Sequence, residues 1–257
     1  MKHPVLPLLL LIISVPILAG CPTTERRAYV ALGGSYAAGA GGGDYEKSYA
    51  SLFHAFLQEE TEEQLSLRSL AVENETTASM IGDGQLAKAL AELRFRNQDE
   101  SPDNDTIAIT LQIGGEEAMS LLLEDGPCRP PATLDDRECE AAFHGMLNEA
   151  RLNVPAVLRA LRVAAGPETD VLVINYFYPF PTAERSETGE ELYSALNEIL
   201  EEAARMPGVD ATLVDIAGEF RGRTQELTAP LDEGGGRAPN EAGHALIASL
   251  LERALEK

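Results

Sequence analysis

Ser35 ends the run Val30-Ala31-Leu32-Gly33-Gly34-Ser35, which reads as a buried strand breaking into a glycine turn. A hydroxyl at the carboxyl end of a strand sits where open α/β sheets place their reactive groups. The chemistry open to it is acyl transfer, in which serine attacks an ester carbonyl. That requires a base to take the serine proton and donors to hold the oxyanion. The candidate bases are few. His54 falls in the first helical pattern, His144 in a long helical region and His244 in the last helix. Asp232 and Glu233 lie in the pliable stretch Leu231-Asp232-Glu233-Gly234-Gly235-Gly236-Arg237, but a carboxylate acting directly on serine is a weak substitute.

Other chemistries are less well supported. Glu73, Glu75, Glu116, Glu117, Asp232 and Glu233 belong to loops and would suit calcium or magnesium. Yet 42 of 257 residues are acidic, so carboxylates fall in every loop; no metal and no cofactor are expected. The glycine run Gly39–Gly43 lacks a following Gly-Lys-Ser/Thr and reads as a turn, not a phosphate cradle. Tyr176, Phe177, Tyr178 and Phe180, interleaved with Pro179 and Pro181, either line a ligand pocket or pack under a loop. The formal charge of −22 would repel nucleic acid and anionic headgroups, so no nucleic-acid partner is expected.

The elements that must position these groups alternate along the chain. Strands are predicted at Tyr29–Leu32, Leu67–Val72, Thr106–Ile113, Val171–Asn175 and Thr212–Ile216. Helical patterns run over Lys47–Gln58, Gly84–Arg94, Glu116–Leu123, Glu138–Val163 with a kink expected at Pro155, Leu192–Arg205 and Asn240–Leu255. This alternation predicts an α/β protein with a five-stranded parallel sheet between two helical layers, a three-layer α/β/α sandwich.

The amino-terminal residues do not belong to that sandwich. Lys2 and His3 precede an apolar run, Leu6 to Leu18, broken by Pro7, Ser14 and Pro16 and closed by Leu18-Ala19-Gly20-Cys21. This is secretory-signal chemistry, and the run is too short and proline-broken to span a bilayer comfortably. Its ending resembles the lipobox of bacterial lipoproteins, which implies lipid on Cys21. Residues 1–20 are therefore expected to be a signal peptide, 21–27 a tether and 28–257 the folded domain, lipid-anchored to a cell membrane on its extracytoplasmic face. Cys128 and Cys139 then remain as an even pair in an exported protein, where a disulfide is expected.

Across nearly all of this domain the chain resembles the SGNH hydrolases, the GDSL lipase and esterase family, whose sheet is flavodoxin-like. The resemblance rests on Gly33-Gly34-Ser35, Leu111-Gln112-Ile113-Gly114-Gly115, Val173-Ile174-Asn175-Tyr176-Phe177-Tyr178-Pro179 and Pro239-Asn240-Glu241-Ala242-Gly243-His244. Carried over one residue at a time, it puts the nucleophile on Ser35 and the oxyanion-hole positions on Gly34, Asn74 and Glu116. Gly34 stands where the family has Asp, Asn74 where it has a glycine, and Glu116 where it has an asparagine donor. The Asp-x-x-His of the family falls on Gly235 and Ala238. His244 matches a later histidine that is not the family's base, and no other histidine precedes Pro239 on the loop that should face Ser35. Alanine accepts no proton, and a carboxylate at 116 opposes a developing oxyanion. The expected function is a non-catalytic binding or accessory protein, whose ligand is a small molecule, a glycan or a protein. The alternative is a weak serine carboxylesterase or lipase acting on acyl or acetyl esters through Ser35.

Overall fold

A computed structural model describes residues 26–98, 101–123, 125–180, 186–231 and 237–256. Strand β1 (Ala28–Gly33) is buried at every position, which is what a central parallel strand covered on both faces demands. β2 (Ser66–Ser69) and β3 (Thr106–Gln112) flank it, and β4 (Asp170–Ile174) and β5 (Thr212–Val214) extend the sheet in the order β2-β1-β3-β4-β5. All four pairings are parallel, so every carboxyl end emerges on one side of the molecule.

The helices are α1 (Tyr49–Thr61), α2 (Thr77–Gly82), α3 (Gln85–Asn97), α4 (Gly115–Leu122), α5 (Arg137–Ala165), α6 (Glu187–Ala204), α7 (Ile216–Phe220), α8 (Thr224–Leu227) and α9 (Glu241–Leu255). α1 packs on α9, while α3, α5 and α6 pack side by side with α2 and α4 against α5. The sheet lies between these two layers, as the alternation of strand and helix requires. The reversal of strand order between β1 and its neighbours β2 and β3 opens the crevice above Ser35.

The observed elements depart from expectation in informative places. Regular β2 ends at Ser69, but hydrogen bonding to β1 continues past it, with Leu70 N donating to Ala31 O and Val72 N to Gly33 O. α2 was not expected; Thr76 and Ser79 cap it reciprocally. α5 runs through Pro155 as one element. α6 starts at Glu187, earlier than its apolar pattern suggested, because Ser186 accepts from Gly189 N and sets its first turn. Ile216 opens α7 instead of closing β5, since Asp215 caps that helix. A two-stranded antiparallel hairpin, β6 (Thr228–Pro230) with β7 (Arg237–Pro239), was also not foreseen. Cys128 and Cys139 form the expected disulfide, with Cα atoms 4.7 Å apart, and both residues are buried.

Candidate active site

β1 delivers Ser35 through two glycines with different duties. Gly33 has φ +132°, and a Cβ there would fall 2.1 Å from Gln112 O, so only glycine fits. Its peptide is clamped from outside the sheet: Gly33 N donates to Gln85 Oε1 at 2.9 Å and Gln85 Nε2 donates back to Gly33 O at 3.1 Å. Gln85 Nε2 also donates to the buried Glu75 at 2.6 Å, and Ser79 Oγ donates to the other oxygen of that carboxylate. The strand end is thereby fixed before the serine is reached. Gly34 N donates to Gln112 O at 3.1 Å, continuing the ladder.

Three of the positions expected at the site converge. Asn74 N donates to Ser35 Oγ at 3.0 Å. Asn74 has φ +59°, a left-handed conformation that glycine and asparagine tolerate best. Ser35 N donates to Glu116 Oε1 at 3.1 Å. Glu116 lies in the first turn of α4, whose N-cap is Gly114 (φ +105°), just beyond β3. Its side chain also rests against Gly34: a Cβ there would lie 3.2 Å from both Cγ and Oε1 of Glu116. Gly34 has no amide to spare for a ligand, because Gln112 O already accepts from it. The Ser35 amide is directed at Glu116 Oε1 and the Asn74 amide at Ser35 Oγ.

Chemically, a carboxylate seated on the Ser35 amide occupies the kind of place an oxyanion would take. The neighbouring Glu117 turns the other way. Its Oε1 accepts from Thr77 N, and among the described residues its buried Oε2 has no hydrogen-bond partner. Burial first, and then the charge of Glu149, raise its carboxyl above the ordinary range, against a lowering by the Thr77 hydrogen bond. No group of three or more His, Cys, Asp or Glu among the described residues is placed to hold a metal ion. Asp232 and Glu233 lie outside the described residues, as does Gly235.

Ala238 lies on β7, fully buried and packed against the turn after Ser35. A Cβ on Gly41 would come within 2.8 Å of Ala238 Cβ and 2.5 Å of Pro239 O. Tyr36 Oη donates to Arg237 O at 2.8 Å, tying the two segments together. The histidines stand elsewhere. His244 Nδ1 accepts from Tyr49 N at 3.2 Å, which leaves Nε2 to donate to Ala40 O at 3.1 Å. Both nitrogens are engaged in the core, and burial lowers the pKa below its ordinary value. His54 Nε2 bonds to Leu65 O at 3.0 Å, and His144 is exposed against Phe143. None of these three hydrogen-bonds to Ser35.

The aromatic cluster both packs and lines a groove. Tyr36 stacks on Phe177 at 5.7 Å, and Phe177 stacks on Phe220 at 4.3 Å. Tyr176, Phe177 and Phe180 are buried, yet with Tyr178 they border a groove of about 1180 Å³ between α6 and α7–α8. Neither Ser35 nor Tyr36 lines the groove; its link to the serine segment is Phe177, which lines it and stacks on Tyr36. Sequence reasoning missed Gln85. The signal was available: Gln85, Ala89, Leu93 and Arg96 fall on the buried stripe of α3, so a polar side chain there needed partners.

Solved structures repeat this fold. A lipase from a goat rumen metagenome superposes with a TM-score of 0.65 at 20% identity, covering 89% of this chain and 97% of that one. A phospholipase A1 from Streptomyces albidoflavus NA297 gives 0.61 at 17% identity, covering 89% and 99%. An extracellular lipase from Streptomyces rimosus gives 0.59 at 20%, again covering 89% and 99%. At such identities the likeness speaks for the fold alone. No curated protein matches the sequence significantly. Residues 31–246, however, match the model of the GDSL-like lipase/acylhydrolase family, from the β1 strand to the last helix. Together with the parallel sheet and the serine at the end of β1, that match shows that the chain belongs to the GDSL-like lipase/acylhydrolase family.

Proposed function

We propose that this protein is a lipid-anchored, extracytoplasmic member of its family that binds instead of hydrolysing, and acts as a binding or accessory protein. One observation carries the reading: the Glu116 carboxylate accepts a hydrogen bond from the Ser35 amide at 3.1 Å. A transition-state oxyanion there would meet a negative charge where the family resemblance puts a neutral donor. Loss of one such donor costs roughly 3–4 kcal/mol, and a fixed carboxylate is worse than its absence. Ala238, at the resemblance's histidine position, offers no proton acceptor, while His244 is committed on both ring nitrogens. Ser35 thus keeps the reactivity of an ordinary alcohol.

The test is hydrolysis of p-nitrophenyl acetate and butyrate by the purified protein beside Ser35→Ala. Equal, near-background rates are expected. Turnover that disappears in Ser35→Ala would establish the alternative, a weak serine esterase. Anchoring is tested separately by the mass of the mature amino-terminal peptide, expected to start at a diacylated or triacylated Cys21.

A further inference from the structure

The chain joins the fold at the end of the sheet opposite Ser35, and that end carries unpartnered apolar side chains. Arg96 Nη1 donates to Arg26 O at 2.9 Å, so the last turn of α3 holds the chain just before β1. Phe95, next to that arginine, is 54% exposed. Asn97 Nδ2 donates to Ala165 O and Gln98 Nε2 to Ala164 O, which brings the end of α5 to the same place. Val163, in that last turn of α5, is 75% exposed. Two large apolar groups and the exposed Arg26 and Arg94 therefore lie on segments that end where the described chain enters β1.

Distances decide which way such a domain would face. The stretch from Cys21 to Arg26 spans at most about 18 Å when fully extended. β1, with six residues, raises Ser35 about 20 Å above the same level, and the helical layers add to that height. A tether so short cannot run back up the domain and still place the Ser35 end against the bilayer. Aromatic and aliphatic side chains next to arginine suit the headgroup boundary. Glu62, Glu63 and Glu168 close off the helix and loop ends nearby, and the net charge is −22, so the surface that fits is zwitterionic, not anionic.

We propose that the end bearing Phe95 and Val163 rests on the lipid surface to which Cys21 is anchored, and that Ser35 and the groove beside Phe177 face away from it. This rests on the anchoring proposed above. It deepens that reading: the ligand comes from the aqueous side, and the lipids of the anchoring leaflet are not what the site meets.

The chain has no tryptophan, so single reporters are clean. Phe95→Trp and Val163→Trp mark the proposed contact, and Val72→Trp, 47% exposed near the serine, marks the far end. The lipidated full-length protein is inserted into phosphatidylcholine vesicles whose acyl chains are brominated. Fluorescence at positions 95 and 163 should fall at least twofold relative to unbrominated vesicles, with little change at 72. Quenching at 72 but not at 95 and 163, or at none of the three, overturns the orientation. A mature terminus that carries no lipid by mass overturns the anchoring itself, and the two failures are told apart on the same sample.

Discussion

Glu116 and Ser35 lie 81 positions apart in sequence, and one hydrogen bond of 3.1 Å joins the carboxylate of the first to the amide of the second. Because that side chain also lies over Gly34, residues 34 and 116 must be compatible with each other. Gly34→Asp would set a second carboxylate against Glu116, at a distance that already crowds a bare Cβ. The expected cost is about 1–3 kcal/mol from overpacking and like charge. Glu116→Asn in the same chain should recover much of it. Urea melts of the two single variants and the double variant should give a coupling energy above about 1 kcal/mol; additive effects would show that the residues do not meet.

Restoring the family's residues should proceed unevenly. Gly235→Asp with Ala238→His supplies an aspartate and a base, but His at 238 must displace the turn at Gly41, at a cost of about 1–3 kcal/mol. Esterase activity should stay near background while Glu116 holds the Ser35 amide. Adding Glu116→Asn and Asn74→Gly should raise the rate by more than the separate effects, because such groups act as a unit. Rates on p-nitrophenyl acetate through the series, with Ser35→Ala as control, give the answer. A folded but inert final variant would mean that more than these four positions separates the site from a working esterase.

Two buried groups give opposite pH dependences. Burial holds His244 below its ordinary value of 6.5, so the unfolded chain takes up this proton first as the pH falls. Stability from neutral His244 is complete above that pH and is lost as the pH falls through the folded value. Burial raises Glu117 from 4.5, so here the folded chain holds its proton to higher pH. Its contribution is complete below 4.5 and lost as the pH rises through the folded value. Between pH 7 and 5, His244→Gln should make the stability loss shallower and Glu117→Gln should make it steeper. Thermal melts over that interval read both slopes.

The disulfide closes a loop of sequence separation 11 beneath buried Cys128 and Cys139. Cys139→Ser should lower stability by about 2–3 kcal/mol. Denaturant titration of oxidised protein beside the variant measures it; an unchanged midpoint would place the loop outside the cooperative unit.

The sheet was legible because β1, β3 and β4 are apolar runs bounded by turns, β3 and β4 of them rich in β-branched residues, and α5 and α9 show long amphipathic stripes. What escaped has specific causes. α2 and the β6–β7 hairpin are too short for periodicity to register, and α2 depends on the Thr76–Ser79 cap. Ile216 extends an apolar run in sequence, but Asp215 turns it into a helix. At the site, Ser35, Asn74 and Glu116 could be named from the resemblance. That the carboxylate docks on the serine's own amide could not, because it depends on how α4 leaves β3. Gln85 was missed for a different reason: it partners a peptide group, and backbone demand leaves no mark in sequence except one polar residue on an apolar stripe.

Oxidation of Cys128 and Cys139 leaves Cys21 as the last sulfhydryl of a chain with three cysteines. Any thiol reagent applied without reductant therefore reports on a single position. An unprocessed precursor would take one maleimide adduct, and a chain acylated at Cys21 would take none. The bridge from the loop after α4 to α5 thus makes Cys21 a chemically unique address, readable by counting labels on the intact protein.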